Sequence, residues 1–134
     1  NVGGYMISQD TNKSNCPIFV TYHKDEDISA TTQYEDQFLS PSIMQWFSKS
    51  RRTLDSPDLK YINSLNSDQR MPLFVKKDDD EGKSFYFLGD VTADPNSFSQ
   101  EYMNDDDGNQ IPVVKLNFNL KDPVPESLYE YLVQ

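Results

Sequence analysis

The sequence predicts an α+β domain: a curved, mostly antiparallel sheet of about five to six strands, or a small barrel, with two to three short helices. Three observations predict it. The run IPVVKLNFNL (111–120) alternates, with Val114, Leu116, Phe118 and Leu120 against Lys115, Asn117 and Asn119. A period of two is the mark of a strand with one buried face. PLFVKK (72–77) and SFYFLGDVT (84–92) flank the acidic stretch DDDEGK and predict a hairpin with a longer loop. Helix signals are fewer and confined to short stretches.

In chain order, the first strand is PIFVTYH (17–23), rich in β-branched and aromatic residues. The segment IMQWFSKS (43–50) reads as a second. It places Trp46, Ser48 and Ser50 on one face and Phe47, Lys49 and Arg51 on the other. SPDLKYINSL (56–65) predicts a helix: Ser56 suits the N-cap, Pro57 the first helical position and Asp58 the first turn. Leu59, Ile62 and Leu65 then share a face. The hairpin and the alternating strand follow, and PESLYEYLV (125–133) predicts a short closing helix. DDDGN (105–109) and DDDEGK (78–83) read as solvated turns.

The 134 residues fit one domain, 1–134, with eight Tyr and eight Phe to build its core. The chain lacks an initiator Met and a signal peptide, so a fragment of a longer protein or a processed chain is expected. No apolar run is long enough to span a membrane, and the lone Cys16 fits a reducing cytoplasm.

Catalytic patterns are scarce. One Cys and one His are too few for a zinc or iron site. His23 has no GxSxG partner turn, and no phosphate-cradling glycine motif occurs. MNDDDG (103–108) lacks the ligand positions of an EF-hand. Pro57-Asp58 followed by Glu81-Gly82-Lys83 matches a loose nuclease pattern, but the first pair opens a helix and the second lies in a turn. The expectation is a non-catalytic domain with no cofactor of its own.

One stretch departs from the acidic average. On a chain of net charge -10, Lys49, Arg51 and Arg52 gather beside Trp46, just ahead of Ser56. These four polar residues suit a phosphate. Trp46, Tyr34 and Phe85 or Tyr86 offer flat faces for stacking, and Asp36 can accept from a cytosine amine. Together they suggest a pocket for a base swung out of a duplex. Read structurally, the same rings are ordinary core, Asp36 accepts a backbone bond, and the cations pair with Asp55 and Asp58.

Three ordered blocks, TYHKDEDISATTQYEDQFLSPSIMQWFSKSRRTLDSP, PLFVKKDDDEGKSFYFLGDVT and VKLNFNLKDPVPESLYEYL, cover most of the chain from Pro17. They resemble a C-terminal domain of superfamily II helicase-like proteins, catalogued as a domain of unknown function. They also resemble helicase–nuclease type IV restriction enzymes of the SauUSI kind. The resemblance implies an SRA/PUA-like fold that recognises 5-methylcytosine in double-stranded DNA. It also implies a parent chain whose helicase and nuclease domains use ATP and Mg. The matching positions are Thr32, Tyr34 and Asp36, then Trp46, Ser48 and Ser50, with Lys49, Arg51 and Arg52 on the phosphate side; Ser56 as a phosphate contact and Tyr86 as a pocket ring are expected from the reading of the residues alone. The other expectation is a regulatory module that docks on the helicase body through its acidic surface.

Overall fold

A computed structural model describes residues 4–9, 14–23, 36–64, 69–78 and 84–134. The elements, in order, are β1 (Gly4–Tyr5), β2 (Ser8–Gln9), β3 (Ser14–Asn15), β4 (Ile18–His23), β5 (Gln37–Ser40), β6 (Ile43–Phe47), α1 (Pro57–Ile62), β7 (Gln69–Arg70), β8 (Pro72–Asp78), β9 (Tyr86–Ala93), β10 (Ser99–Asn104), β11 (Gln110–Leu120) and α2 (Glu126–Val133). The fold is α+β and mostly sheet. Eight strands run in the order β1-β4-β8-β9-β11-β6-β5, with β10 also paired to β11, and β2-β3-β7 form a small second sheet. The large sheet is open, bounded by β1 and β5, so the barrel alternative is set aside.

Pairing is antiparallel except between β4 and β8 in the large sheet and between β3 and β7 in the small one. The expected hairpin is β8–β9. Its register shifts between Pro72 and Phe74, where β9 carries Gly89 at φ +92°. A glycine in that region accommodates the extra residue of a bulge. Beyond it β9 leaves β8 and pairs Val91–Ala93 with Phe118–Leu120 of β11. After a turn at 94–98, the chain returns as β10 along the other half of β11. β9 thus joins the two halves of the sheet.

The core draws on both halves of the sheet. Ile18, Val20, Leu73 and Val75 come from one half, and Met44, Trp46, Val114, Leu116 and Phe118 from the other. The alternation read in 111–120 is observed: Val114, Leu116, Phe118 and Leu120 are buried. α1 contributes Leu59 and Ile62, and α2 contributes Leu132. α1 ends at Ile62, short of the predicted Leu65, which lies outside the described residues. Ser56 is its N-cap by position, but the hydroxyl accepts from the Thr53 N–H at 2.9 Å rather than capping the helix.

Candidate functional site: a cationic hollow behind β6

β6 carries Ile43 to Phe47 antiparallel to β11 and then releases the chain at Ser48. The segment from Ser48 to Ser56 is held by a dense set of hydrogen bonds. Ser48 N–H donates to the Val114 carbonyl at 2.9 Å, and the Val114 N–H donates to Ser48 Oγ at 2.9 Å. Arg52 N–H donates to the Pro112 carbonyl at 3.1 Å. Gln100 on β10 clamps the middle: its Nε2 donates to the carbonyls of Arg52 and Val113, and its Oε1 accepts from the Leu54 N–H. Arg51 sits at φ +60°, a left-handed conformation that costs a non-glycine residue about 1–2 kcal/mol. The surrounding bonds hold it there.

The segment borders an open hollow of about 440 Å³, lined by Tyr5, Ile7, Lys49, Arg51, Arg52, Ser56, Pro57 and Asp58. Small-molecule sites run from about 300 to 1,000 Å³, so the size suits a ligand fragment. Three cations and one carboxylate make it locally positive on an acidic chain. Lys49 Nζ stands 4.6 Å from the centroid of the Tyr5 ring. Tyr5 OH donates to Asp58 Oδ2 at 2.5 Å, and Arg52 Nε donates to the same oxygen at 2.8 Å. Asp58 Oδ1 accepts from the Leu59 N–H.

These contacts set the charges. Burial pushes the Asp58 carboxyl upward, but its bonds from Tyr5 and Arg52 outweigh this and hold it below the ordinary carboxylate range. The Tyr5 hydroxyl is raised well above its usual value, first by burial and then by its bond to Asp58. Arg52 is raised chiefly by its bond to Asp58. All three therefore keep one protonation state through the physiological range. Arg52 donates to Asp58 and, from Nη1, to the Ser50 carbonyl at 3.1 Å.

Lys49, Arg51, Arg52 and Ser56, grouped in sequence as phosphate contacts, all line this hollow. The base-pocket residues do not assemble. Trp46 is 1% exposed, packed at 5.1 Å on Tyr5 and 5.0 Å on Phe118. The expected strand 43–50 ends at Phe47, so of the expected face Trp46, Ser48 and Ser50 only Trp46 lies on β6; Trp46 and Ser48 are buried on the core side and Ser50 is exposed. Trp46 is a core residue, one ring behind the hollow. Ser48 is likewise buried, its hydroxyl donating to the Lys49 carbonyl and accepting from Val114. Asp36 Oδ1 accepts from the Phe47 N–H at 2.8 Å, which ties the chain entering β5 to β6. Ser50 is exposed beside the hollow and supplies the carbonyl that holds Arg52. Tyr86 lies on β9 and packs edge-on to Tyr131 of α2, away from the hollow. Tyr34 and Thr32 fall outside the described residues, as do Glu81 and Lys83. Among the described residues no three His, Cys, Asp or Glu side chains cluster to hold a metal, and no helix is long and apolar enough to cross a membrane.

The sequence reading missed Tyr5. It reaches the site through β1, which pairs with β4, and the hydrogen-bond partners of its hydroxyl, Asp58 and the Lys49 N–H, are more than forty positions away. No local signal marks it.

The family model described as "Domain of unknown function (DUF3427)" matches residues 1–132. The chain belongs to this family. No curated protein matches it. The matched span includes both Tyr5 and the 48–58 segment, so the hollow lies wholly within the DUF3427 domain.

Proposed function

We propose that this DUF3427 domain binds duplex DNA through the Lys49–Arg51–Arg52 hollow and recognises 5-methylcytosine on behalf of an ATP-dependent type IV restriction endonuclease of which it is a part. The observation that carries the reading is the convergence of these three cations with Ser56 on one concave site of a chain with net charge -10. Such a concentration of cations on an acidic body matches the chemistry of phosphate oxygens. The resemblance noted in sequence supplies the methylated target and an SRA/PUA-like relationship.

With Trp46 in the core, the base is received in the hollow itself. Tyr5, Ile7 and Pro57 give it an apolar side against which a 5-methyl group packs, worth up to about 0.8 kcal/mol for one carbon. Discrimination at that scale is about fourfold. Stronger selection belongs to the ATP-driven steps of the parent enzyme, whose helicase and nuclease domains are the expected partners. The domain itself is read as non-catalytic, and its cellular place as the cytoplasm.

A second reading, docking on the helicase body, is favoured by Tyr86 and Phe87, which are 41% and 57% exposed on β9. Titrating the 134-residue chain with matched duplexes, with and without 5-methylcytosine, at several salt concentrations separates the two. The DNA reading expects salt-dependent binding with tighter association to the methylated duplex. Equal affinity for both duplexes at every salt refutes the methyl reading, and no binding at low salt refutes DNA contact through the hollow.

A further inference from the structure

The charges that line the hollow do not cancel. Lys49, Arg51 and Arg52 stand against one carboxylate, Asp58, so three positive charges less one negative leave a formal surplus of two. The Tyr5 hydroxyl stays neutral and Asp58 stays ionised, for the reasons given above. Asp58 is fully occupied: its Oδ2 accepts from Tyr5 and Arg52, and its Oδ1 accepts from the Leu59 N–H. One further carboxylate, Asp105 on the turn between β10 and β11, feels the charge of Arg51. It does not line the hollow, and its Oδ1 accepts from the Asp107 and Asn109 N–H groups. Each internal phosphate of a DNA strand is a diester with one negative charge. A phosphate monoester carries about −1.5 to −2 at pH 7, on three terminal oxygens. Matching the surplus with diesters takes two of them, one nucleotide apart. The hollow is a single concavity of about 440 Å³, at the low end for small-molecule sites, a scale that suits one phosphorylated unit.

Resting on the assignment of this hollow to phosphate, we infer that its matched ligand is a nucleoside monophosphate, with the phosphate monoester at Lys49, Arg51 and Arg52 and the base against Tyr5, Ile7 and Pro57. Two sources carry this group: a free nucleotide, and the phosphorylated end of a DNA strand. In the second case the domain counts ends rather than length, because an internal phosphate leaves part of the positive surplus unmatched. Arg51 is the cation whose charge is most separable from the fold. Arg52 is tied to Asp58 and the Ser50 carbonyl, and Lys49 Nζ lies over the Tyr5 ring, whereas the Arg51 residue is exposed.

The test is calorimetric titration of the 134-residue chain with dCMP, the methyl ester of its phosphate, deoxycytidine and inorganic phosphate. The extra charge of the monoester is expected to make dCMP bind about tenfold tighter than its methyl ester. Deoxycytidine and inorganic phosphate are each expected to bind more weakly than dCMP. Arg51→Gly removes one charge while suiting the left-handed backbone at that position, and is expected to abolish the preference for the monoester. Arg51→Lys is expected to keep it, as is Arg70→Ala, whose partner is Asp90. Equal affinity for dCMP and its methyl ester overturns the inference, and so does inorganic phosphate that binds as tightly as dCMP. Duplexes with 5′-phosphate or 5′-hydroxyl ends separate the two sources: a matching gain from the 5′-phosphate supports DNA ends, and its absence beside an intact preference for dCMP supports the free nucleotide. A dumbbell duplex, closed at both ends, separates this inference from the DNA reading. Salt-dependent binding to the dumbbell without any monoester preference keeps that reading and overturns the inference; a monoester preference without dumbbell binding does the reverse.

Discussion

Trp46→Ala tests whether the indole is core or pocket. The side chain is 1% exposed and sandwiched between Tyr5 and Phe118 at centroid distances of 5.1 and 5.0 Å. Truncating a buried Trp to Ala typically costs about 3–5 kcal/mol. The two ring pairs belong to the upper part of that range, since each aromatic pair adds about 0.5–1.5 kcal/mol beyond area. The expected loss is about 4–5 kcal/mol, against a total of about 5–15 kcal/mol for a domain of this kind. Trp46→Phe keeps a ring at both contacts and is expected to cost about half as much. Urea unfolding followed by far-UV circular dichroism measures both, with the slope m unchanged. As Trp46 is the sole tryptophan, wild-type fluorescence is a direct second probe, expected to be blue-shifted and shielded from iodide in the native state. The core assignment is refuted if Trp46→Ala loses less than about 1 kcal/mol and its only defect is weaker binding to methylated duplexes.

Other outcomes follow from the same contacts. Lys49→Ala and Arg51→Ala should each flatten the dependence of log affinity on log salt by about 0.9 for every phosphate contact removed, whereas Arg70→Ala, whose partner is Asp90 on β9, should leave the slope alone. Asp58 has its folded pKa below the unfolded value, so its contribution is complete above about pH 4 and is lost as the pH falls through the folded pKa. Asp58→Asn is therefore expected to be less stable than wild type at neutral pH, with the gap narrowing in acid, as read from denaturant midpoints across pH. Ser48→Ala leaves the buried Val114 N–H without its acceptor, and chemical denaturation should register a loss of about 1–3 kcal/mol.

What the sequence disclosed depended on whether a feature was local. The strand 111–120 was legible because its alternation is long and uninterrupted, and the hairpin because two apolar runs bracket an acidic turn. β5 and β10 were not legible. QFLS is too short to show a period, and SQEYMN is polar along most of its length; β10 is ordered by pairing with β11 and by the bond from Gln100 to Val113, not by its own pattern. The cations were found because they are sequence neighbours. For Trp46 the period of two placed it with Ser48 but did not say which side faced solvent, and the serines interleaved with it made the core side look polar. Asp36 matched the structural reading instead: it accepts a backbone bond. Tyr5 could not be found from neighbours at all, since its place is fixed by β1 pairing with β4 and by contacts with residues 46, 49 and 58.

The wide sequence spacing of the hollow's parts has a consequence for biosynthesis. Its floor ring comes from residue 5, its cations from 49–52, and the strand that anchors their loop from 112–114. Contacts so distant along the chain form only after the intervening segments have closed. A nascent polypeptide that has emerged only as far as α1 has its lysine and arginines in hand but no anchored cradle to present them. The hollow is finished only when the second-last element is in place, so a truncated product, though it carries the same charges, lacks the concave arrangement that gathers them.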